Sequence, residues 1–144
     1  MISGAVVGAI LLPGPLRITP GFGLDVNTLL FAFAAVVLGF QGVSFAVFAR
    51  VYALNEGLLP RDPTLERYLS RFTLETGLAI GAVIMALGFV AALYAFAAWS
   101  RAGFGALDAR MTMRTAIPAV TAICLGGQVI LTSFLLSFLG LRRR

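Results

Sequence analysis

The chain has 144 residues, of which 60% are hydrophobic and 12% are charged, with a formal net charge of +5. Soluble domains are roughly 45–50% apolar, so this composition excludes an ordinary water-soluble domain. All eleven basic residues are arginines at or near the ends of apolar runs, and no basic face accompanies a soluble surface, which argues against a nucleic-acid-binding protein.

Three long apolar runs dominate the chain. Residues 28–49, 76–100 and 115–141 contain no Asp, Glu, Lys or Arg. One helical crossing of a bilayer core needs about 20 consecutive apolar residues, and each run meets that length. We therefore predict an all-α integral membrane protein with transmembrane helices over 28–51, 75–99 and 116–139. Asn27 or Thr28 is the expected N-cap of the first of these helices.

The apolar run at the N-terminus is too short to cross a bilayer. It ends at residue 12, before Pro13, Gly14 and Pro15. We interpret it as the later half of a helix whose beginning is missing; a short, partly inserted segment is the alternative. Residues 13–27, rich in proline and glycine, are expected to form a loop. The whole chain, 1–144, is then one membrane domain with a partial helix over 1–12.

The connection between the first two full spans carries a short amphipathic pattern. Asp62 and Pro63 are typical of a helix start, and apolar and charged residues then alternate at helical spacing up to Phe72. We predict an interfacial helix over 62–72. The 50–75 connection and the C-terminal tail together hold seven arginines, against four in the other loops. The positive-inside rule therefore places 52–74 and the C-terminus in the cytoplasm.

Two glutamines lie deep inside apolar spans, Gln41 in the first and Gln128 in the third. An unpaired amide in hydrocarbon costs several kcal/mol, and these two spans run parallel, so we expect an interhelical polar contact between them or with nearby hydroxyls. A polar lining for a substrate path is the alternative. Small residues at Gly77 and Gly81 predict close helix packing within the bundle, with a self-association face as the alternative.

Catalytic chemistry is sparse in these residues. The chain has no histidine and no lysine, and its six acids form no paired metal-binding motif. The spans also lack the charged residues that ion and proton pathways use, which disfavours a pump or transporter. The lone Cys124 lies in an apolar run, where a buried structural thiol is expected. We expect no cofactor, no metal and no catalysis by this chain alone.

An ordered set of short motifs resembles the C-terminal membrane region of bacterial family 2 glycosyltransferases similar to dolichyl- or polyprenyl-phosphate sugar synthases. The set includes Leu38–Gln41, Glu56–Pro60, Thr73–Glu75, Gly103–Gly105 and Ser133–Ser137, with shorter motifs such as Asp62-Pro63 and Ile117-Pro118 between them. None is specific by itself; the resemblance lies in their order along nearly the whole chain. In that family a cytosolic catalytic domain precedes the membrane helices and transfers a sugar to a lipid phosphate, and that domain is absent from these residues.

The resemblance implies a non-catalytic module that anchors an enzyme in the bacterial inner membrane and contacts its lipid. Four arginines on the cytoplasmic side are the candidates for meeting a lipid phosphate, because the planar guanidinium offers several donors to phosphate oxygens: Arg50, Arg61, Arg67 and Arg71. The expected partners are membrane lipids and either a catalytic domain or other membrane subunits. The alternative function is an accessory structural subunit of a photosynthetic, respiratory or transport complex.

Overall fold

The computed structural model describes residues 1–14, 16–19, 22–60, 73–101, 103 and 109–141. Its elements are α1 (Ile2–Leu11), β1 (Leu16–Thr19), β2 (Phe22–Leu24), α2 (Val26–Asn55), α3 (Leu74–Arg101) and α4 (Ala109–Leu141). Three helices are long and apolar enough to cross a membrane, and α1 is a shorter apolar helix. The predicted helical membrane fold is confirmed, including the short N-terminal helix.

The helices extend further than the apolar runs that predicted them. The third span was expected to begin near residue 116, whereas α4 begins at Ala109. Hydropathy marks only the part of a helix that suits hydrocarbon, and the backbone hydrogen bonds of α4 continue beyond it. The expected N-cap of α2 was wrong, because α2 begins at Val26 with Asp25 at the N-cap position.

Two regions named in the sequence analysis lie outside the described residues. The predicted interfacial helix over 62–72 is one, together with Arg61, and the C-terminal arginines 142–144 are the other.

The segment between α1 and α2 contains a small hairpin where we expected only a loop. Strands β1 and β2 pair in antiparallel fashion, with Leu16 opposite Leu24 and Arg17 opposite Gly23. Proline and glycine interrupt helices but also favour tight turns, so the composition that predicted a loop is equally suited to a hairpin.

Helix α4 is central among the four helices. It packs against α3 on one side and α2 on the other, and α1 packs on α2. At most 11% of the most apolar window of any span is buried. The one hydrophobic cluster among the described residues lies where α1 meets α2 and α4, and it contains Leu11, Leu29 and Ile117. Most apolar side chains therefore face outward, as a lipid solvent allows.

Glycines set the distance between α3 and α4, which run antiparallel. Gly81 lies against Gly126 and Ile130, and Gly88 lies against Ala119 and Ile123. A Cβ added at Gly126 would lie 2.6 Å from both the Gly81 carbonyl oxygen and the Met85 backbone nitrogen. Small residues at such positions allow two backbones to approach closely. The small residues of α3 therefore serve packing within the chain, as predicted, and not a free self-association face.

Candidate functional site: a half-covered face of α2

Polar contacts at three depths join α2 to α4. Arg114 Nη2 donates to Asp25 Oδ1 at 2.9 Å, Thr132 Oγ1 donates to Ser44 Oγ at 3.4 Å, and Asn55 Nδ2 donates to the Leu139 carbonyl at 2.9 Å. The partners advance together along both helices, so α2 and α4 are parallel, and the register changes by only one residue between the Asp25 and Ser44 contacts. The Asp25 carboxylate accepts from Arg114 and makes no hydrogen bond to the first turn of its own helix.

The same register places Gln41 and Gln128 at one depth, since they precede Ser44 and Thr132 by about one turn. Their side chains nevertheless differ in surroundings. Gln41 is exposed, whereas Gln128 Oε1 is buried with no hydrogen-bond partner among the described residues. The hydrogen bond expected between them is therefore not present in this structure, although their shared depth fits the parallel spans.

Helix α1 packs on one face of the N-terminal half of α2. Gly4 lies against the Ala32 backbone, and a Cβ added at Gly39 would lie 2.7 Å from the Met1 Cβ. The two helices are therefore antiparallel, with Met1 beside the middle of α2. Gly4 and Gly8 are both buried, because their missing side chains let α1 lie close to α2.

The same face of α2 continues beyond the residues that α1 contacts. At steps of three and four residues from Gly39 it presents Val43, Ala46 and Arg50, and all three are exposed. We call this surface the open α2 face. From Gly39 to Arg50 it is roughly 16 Å long at 1.5 Å per residue. That is about half of a 30 Å hydrocarbon core, or the depth of one leaflet.

Arg50 marks the outer end of the open α2 face. It is exposed near the C-terminal end of α2, five residues before the Asn55 that binds the α4 carbonyl. Of the four candidate lipid-phosphate arginines, Arg50 is the one that the structure describes; Arg61, Arg67 and Arg71 lie outside the described residues. The site therefore combines an apolar surface with an exposed cation at one end of it.

The described residues do not assemble other recognisable chemistry. Among them, no group of three or more His, Cys, Asp and Glu side chains is placed to hold a metal ion. The prediction that Cys124 is buried was wrong: it is an exposed free thiol on α4, because an apolar run in a membrane helix does not by itself imply burial in the protein. The exposed Arg101 lies at the end of α3, on the other side of the predicted membrane from Arg50.

Comparison with known families shows which protein family these helices belong to. Residues 47–140 match the model of the glycosyltransferase family 2 C-terminal transmembrane region, which is well over half of the chain. The chain belongs to this family. The resemblance inferred from the ordered motifs is thus confirmed, and the match includes Arg50, α3 and nearly all of α4. No curated protein and no solved structure matches the chain.

Sequence reasoning identified Arg50 but missed the surface that leads to it. Two signals were present: the N-terminal apolar run is too short to span, and its Gly4 and Gly8 are four residues apart. Together they indicate a short apolar helix held close to a neighbour. Which neighbour it contacts, and on which face, depends on packing that apolar runs do not encode.

Proposed function

We propose that this chain is the non-catalytic, lipid-contacting membrane module of a glycosyltransferase acting on a polyprenyl phosphate. The open α2 face is the observation that carries this proposal. Family membership supplies the glycosyltransferase setting. The open α2 face supplies a surface whose dimensions and chemistry suit a lipid with a phosphate headgroup.

The physical argument begins with the two ends of such a lipid. Its hydrocarbon chain is already out of water in the bilayer, so its contact with an apolar helix face such as Val43 and Ala46 rests on van der Waals packing. Its phosphate must stay at the interface, where the planar guanidinium of Arg50 can donate two parallel hydrogen bonds. Further arginines in the 61–71 connection each add roughly 1 kcal/mol of attraction to an anionic surface.

The catalytic step belongs to a different part of the assembly in this proposal. These residues contain no histidine or lysine and no paired acidic motif to hold a nucleotide and its metal. A catalytic domain or partner membrane subunits would supply those groups, and the helices would hold the lipid phosphate within their reach. Purified chain supplied with nucleotide-sugar and polyprenyl phosphate is expected to transfer no sugar, and robust transfer would contradict the proposal.

The proposal also orients the chain in a bacterial inner membrane. The end of α2 that carries Arg50 faces the cytoplasm, together with residues 52–74 and the C-terminus, because seven arginines lie on that side against four on the other. Single cysteines at the exposed Leu58 and Gly103, in a Cys124→Ser background, test this. If Leu58→Cys is labelled only from the periplasmic side, the proposed orientation is wrong.

Lipid retention tests the site. Val43→Trp fills the open α2 face, and its matched control is Val83→Trp on α3, where the valine is 59% exposed against 54% for Val43. Arg50→Gln removes the cation, and Arg101→Gln is its control. In native mass spectrometry from nanodiscs containing polyprenyl phosphate, we expect Val43→Trp and Arg50→Gln to lower retained polyprenyl phosphate severalfold and both controls to retain it.

Two other results of the lipid-retention experiment would contradict the proposal. Equal loss with Val43→Trp and Val83→Trp would show that the lipid contacts no particular face. Retention unchanged in all four variants would overturn the lipid-contacting role and favour the accessory structural subunit, for which the open α2 face would be a subunit contact.

A further inference from the structure

A second exposed surface of α2 lies on a different side from the open α2 face. Its residues recur at steps of three and four along the helix, and every one is exposed: Phe31, Ala34, Leu38, Gln41, Gly42, Phe45, Ala49 and Tyr52. We call this surface the outer α2 face. Neither α1 nor α4 covers it, and Gln41 lies at its centre.

Gln41 is the anomaly of this surface. It is the sixteenth of the thirty residues of α2, which places its amide near mid-membrane. Its side chain makes no hydrogen bond to another described residue, including Gln128 at the same depth. Hydrocarbon offers neither donors nor acceptors, and an unpaired amide there costs several kcal/mol. A polar partner outside this chain is the arrangement that removes the cost.

We propose that the outer α2 face is a dimer interface between two copies of this chain, with Gln41 paired to Gln41. A primary amide both donates and accepts, so two glutamines complement each other. A two-fold axis along the membrane normal keeps both copies in the same orientation and brings identical residues together at the same depth. Such an axis therefore places the two Gln41 side chains opposite each other without further adjustment.

The rest of the outer α2 face fits this arrangement. Large side chains recur every seven residues as Phe31, Leu38, Phe45 and Tyr52, a period that favours left-handed packing of parallel helices. Gly42 adjoins Gln41, and a Cβ added there would meet nothing within 4 Å, so a second backbone can approach at this point. The glycines of α3 cannot serve this purpose, because α4 occupies them.

Cross-linking in vesicles tests the proposed interface. Purified chain with Cys124→Ser and Phe45→Cys is reconstituted at low density and oxidised. The control is Leu87→Cys on α3, where the leucine is 64% exposed against 72% for Phe45. We expect rapid disulfide-linked dimers for Phe45→Cys and few for Leu87→Cys. Equal rates at both positions would contradict the proposal, as would the absence of dimers at Phe45→Cys.

Two substitutions then separate the interface from the fold. Gln41→Leu is expected to raise the dimer dissociation constant in bilayers roughly threefold to twentyfold, the range for one intramembrane hydrogen bond. Gly42→Leu should weaken the dimer by blocking the close approach, whereas Gly127→Leu, also in open space, should not. Circular dichroism checks that the helix content is retained. If neither Gln41→Leu nor Gly42→Leu changes the dissociation constant, the outer α2 face is not the interface.

Discussion

The two interfaces of α4 are built on different principles. Against α3, the contacts are backbone to backbone, with Gly81 and Gly126 so close that neither has room for a Cβ. Against α2, the contacts include side-chain hydrogen bonds, one of them 3.4 Å long, and the neighbouring Gln128 Oε1 has no hydrogen-bond partner among the described residues. We call these the glycine interface and the polar interface.

This difference indicates which helices are firmly fixed relative to each other. Close packing is sensitive to every added atom, because dense contacts cannot yield without separating the helices. Intramembrane hydrogen bonds average only about 0.6 kcal/mol each, so the polar interface depends on a few modest contacts. We infer that α3 and α4 form the rigid pair, and that α2, which carries the open face and the outer face, is the helix more easily displaced.

The largest expected effect comes from filling the glycine interface. Gly126→Leu would drive its side chain into the Gly81 carbonyl and the Met85 backbone, so the helices must separate. We expect a loss of about 1–3 kcal/mol in the free energy of unfolding. The adjacent Gly127→Leu meets open space and should cost little. Reversible unfolding in bicelles measures both, and equal losses would contradict the close contact.

The charged contact of the polar interface should matter less. Arg114 and Asp25 are 17% and 26% exposed, so water partly screens their attraction. Arg114→Gln removes the ion pair, and we expect a loss of about 1–2 kcal/mol, between the values for exposed pairs and for hydrogen bonds to charged groups. Arg101→Gln, at the exposed end of α3, should stay within about 0.5 kcal/mol of wild type. A larger loss for Arg101→Gln than for Arg114→Gln would contradict the stabilising role given to the ion pair between Arg114 and Asp25.

The smallest change in the free energy of unfolding is expected at Gln128, where the substitution should stabilise the protein. Its buried Oε1 has no partner among the described residues, so Gln128→Leu should raise the free energy of unfolding by up to about 1 kcal/mol. A double-mutant cycle with Gln41→Leu should be additive within about 0.5 kcal/mol. Destabilisation with clear non-additivity would instead indicate that the two glutamines bond to each other, as the sequence alone suggested.

The spans could be predicted because each one is defined by a run of consecutive apolar residues along the sequence. A run such as 76–100 must be a helix in hydrocarbon, where every backbone group needs a partner within the segment. The short N-terminal run likewise predicted α1, which occupies Ile2–Leu11. The depth of Gln41 and Gln128 also followed, since alternating spans fix which helices are parallel.

The lateral arrangement of the helices could not be predicted from the sequence, and the reason is physical. The spans are apolar on all sides, so no polar face shows which side of α2 meets α4 and which meets lipid. The side of α2 on which Gln41 lies could not be read from its neighbours. In the structure Gln41 is exposed and does not pair with Gln128 as expected. The central position of α4 depends on glycine contacts between residues far apart in the chain, such as Gly81 with Gly126.

The central claim is that a phosphate-bearing lipid lies along the open α2 face with its headgroup at Arg50. A polyprenyl phosphate with a photoreactive group in its chain, incorporated into nanodiscs with the full chain, tests this directly when the labelled peptides are mapped by mass spectrometry. We predict that the label concentrates between Gly39 and Arg50 and falls severalfold in Val43→Trp. Label spread evenly over the exposed faces of α3 and α4, or unchanged in Val43→Trp, would contradict the account.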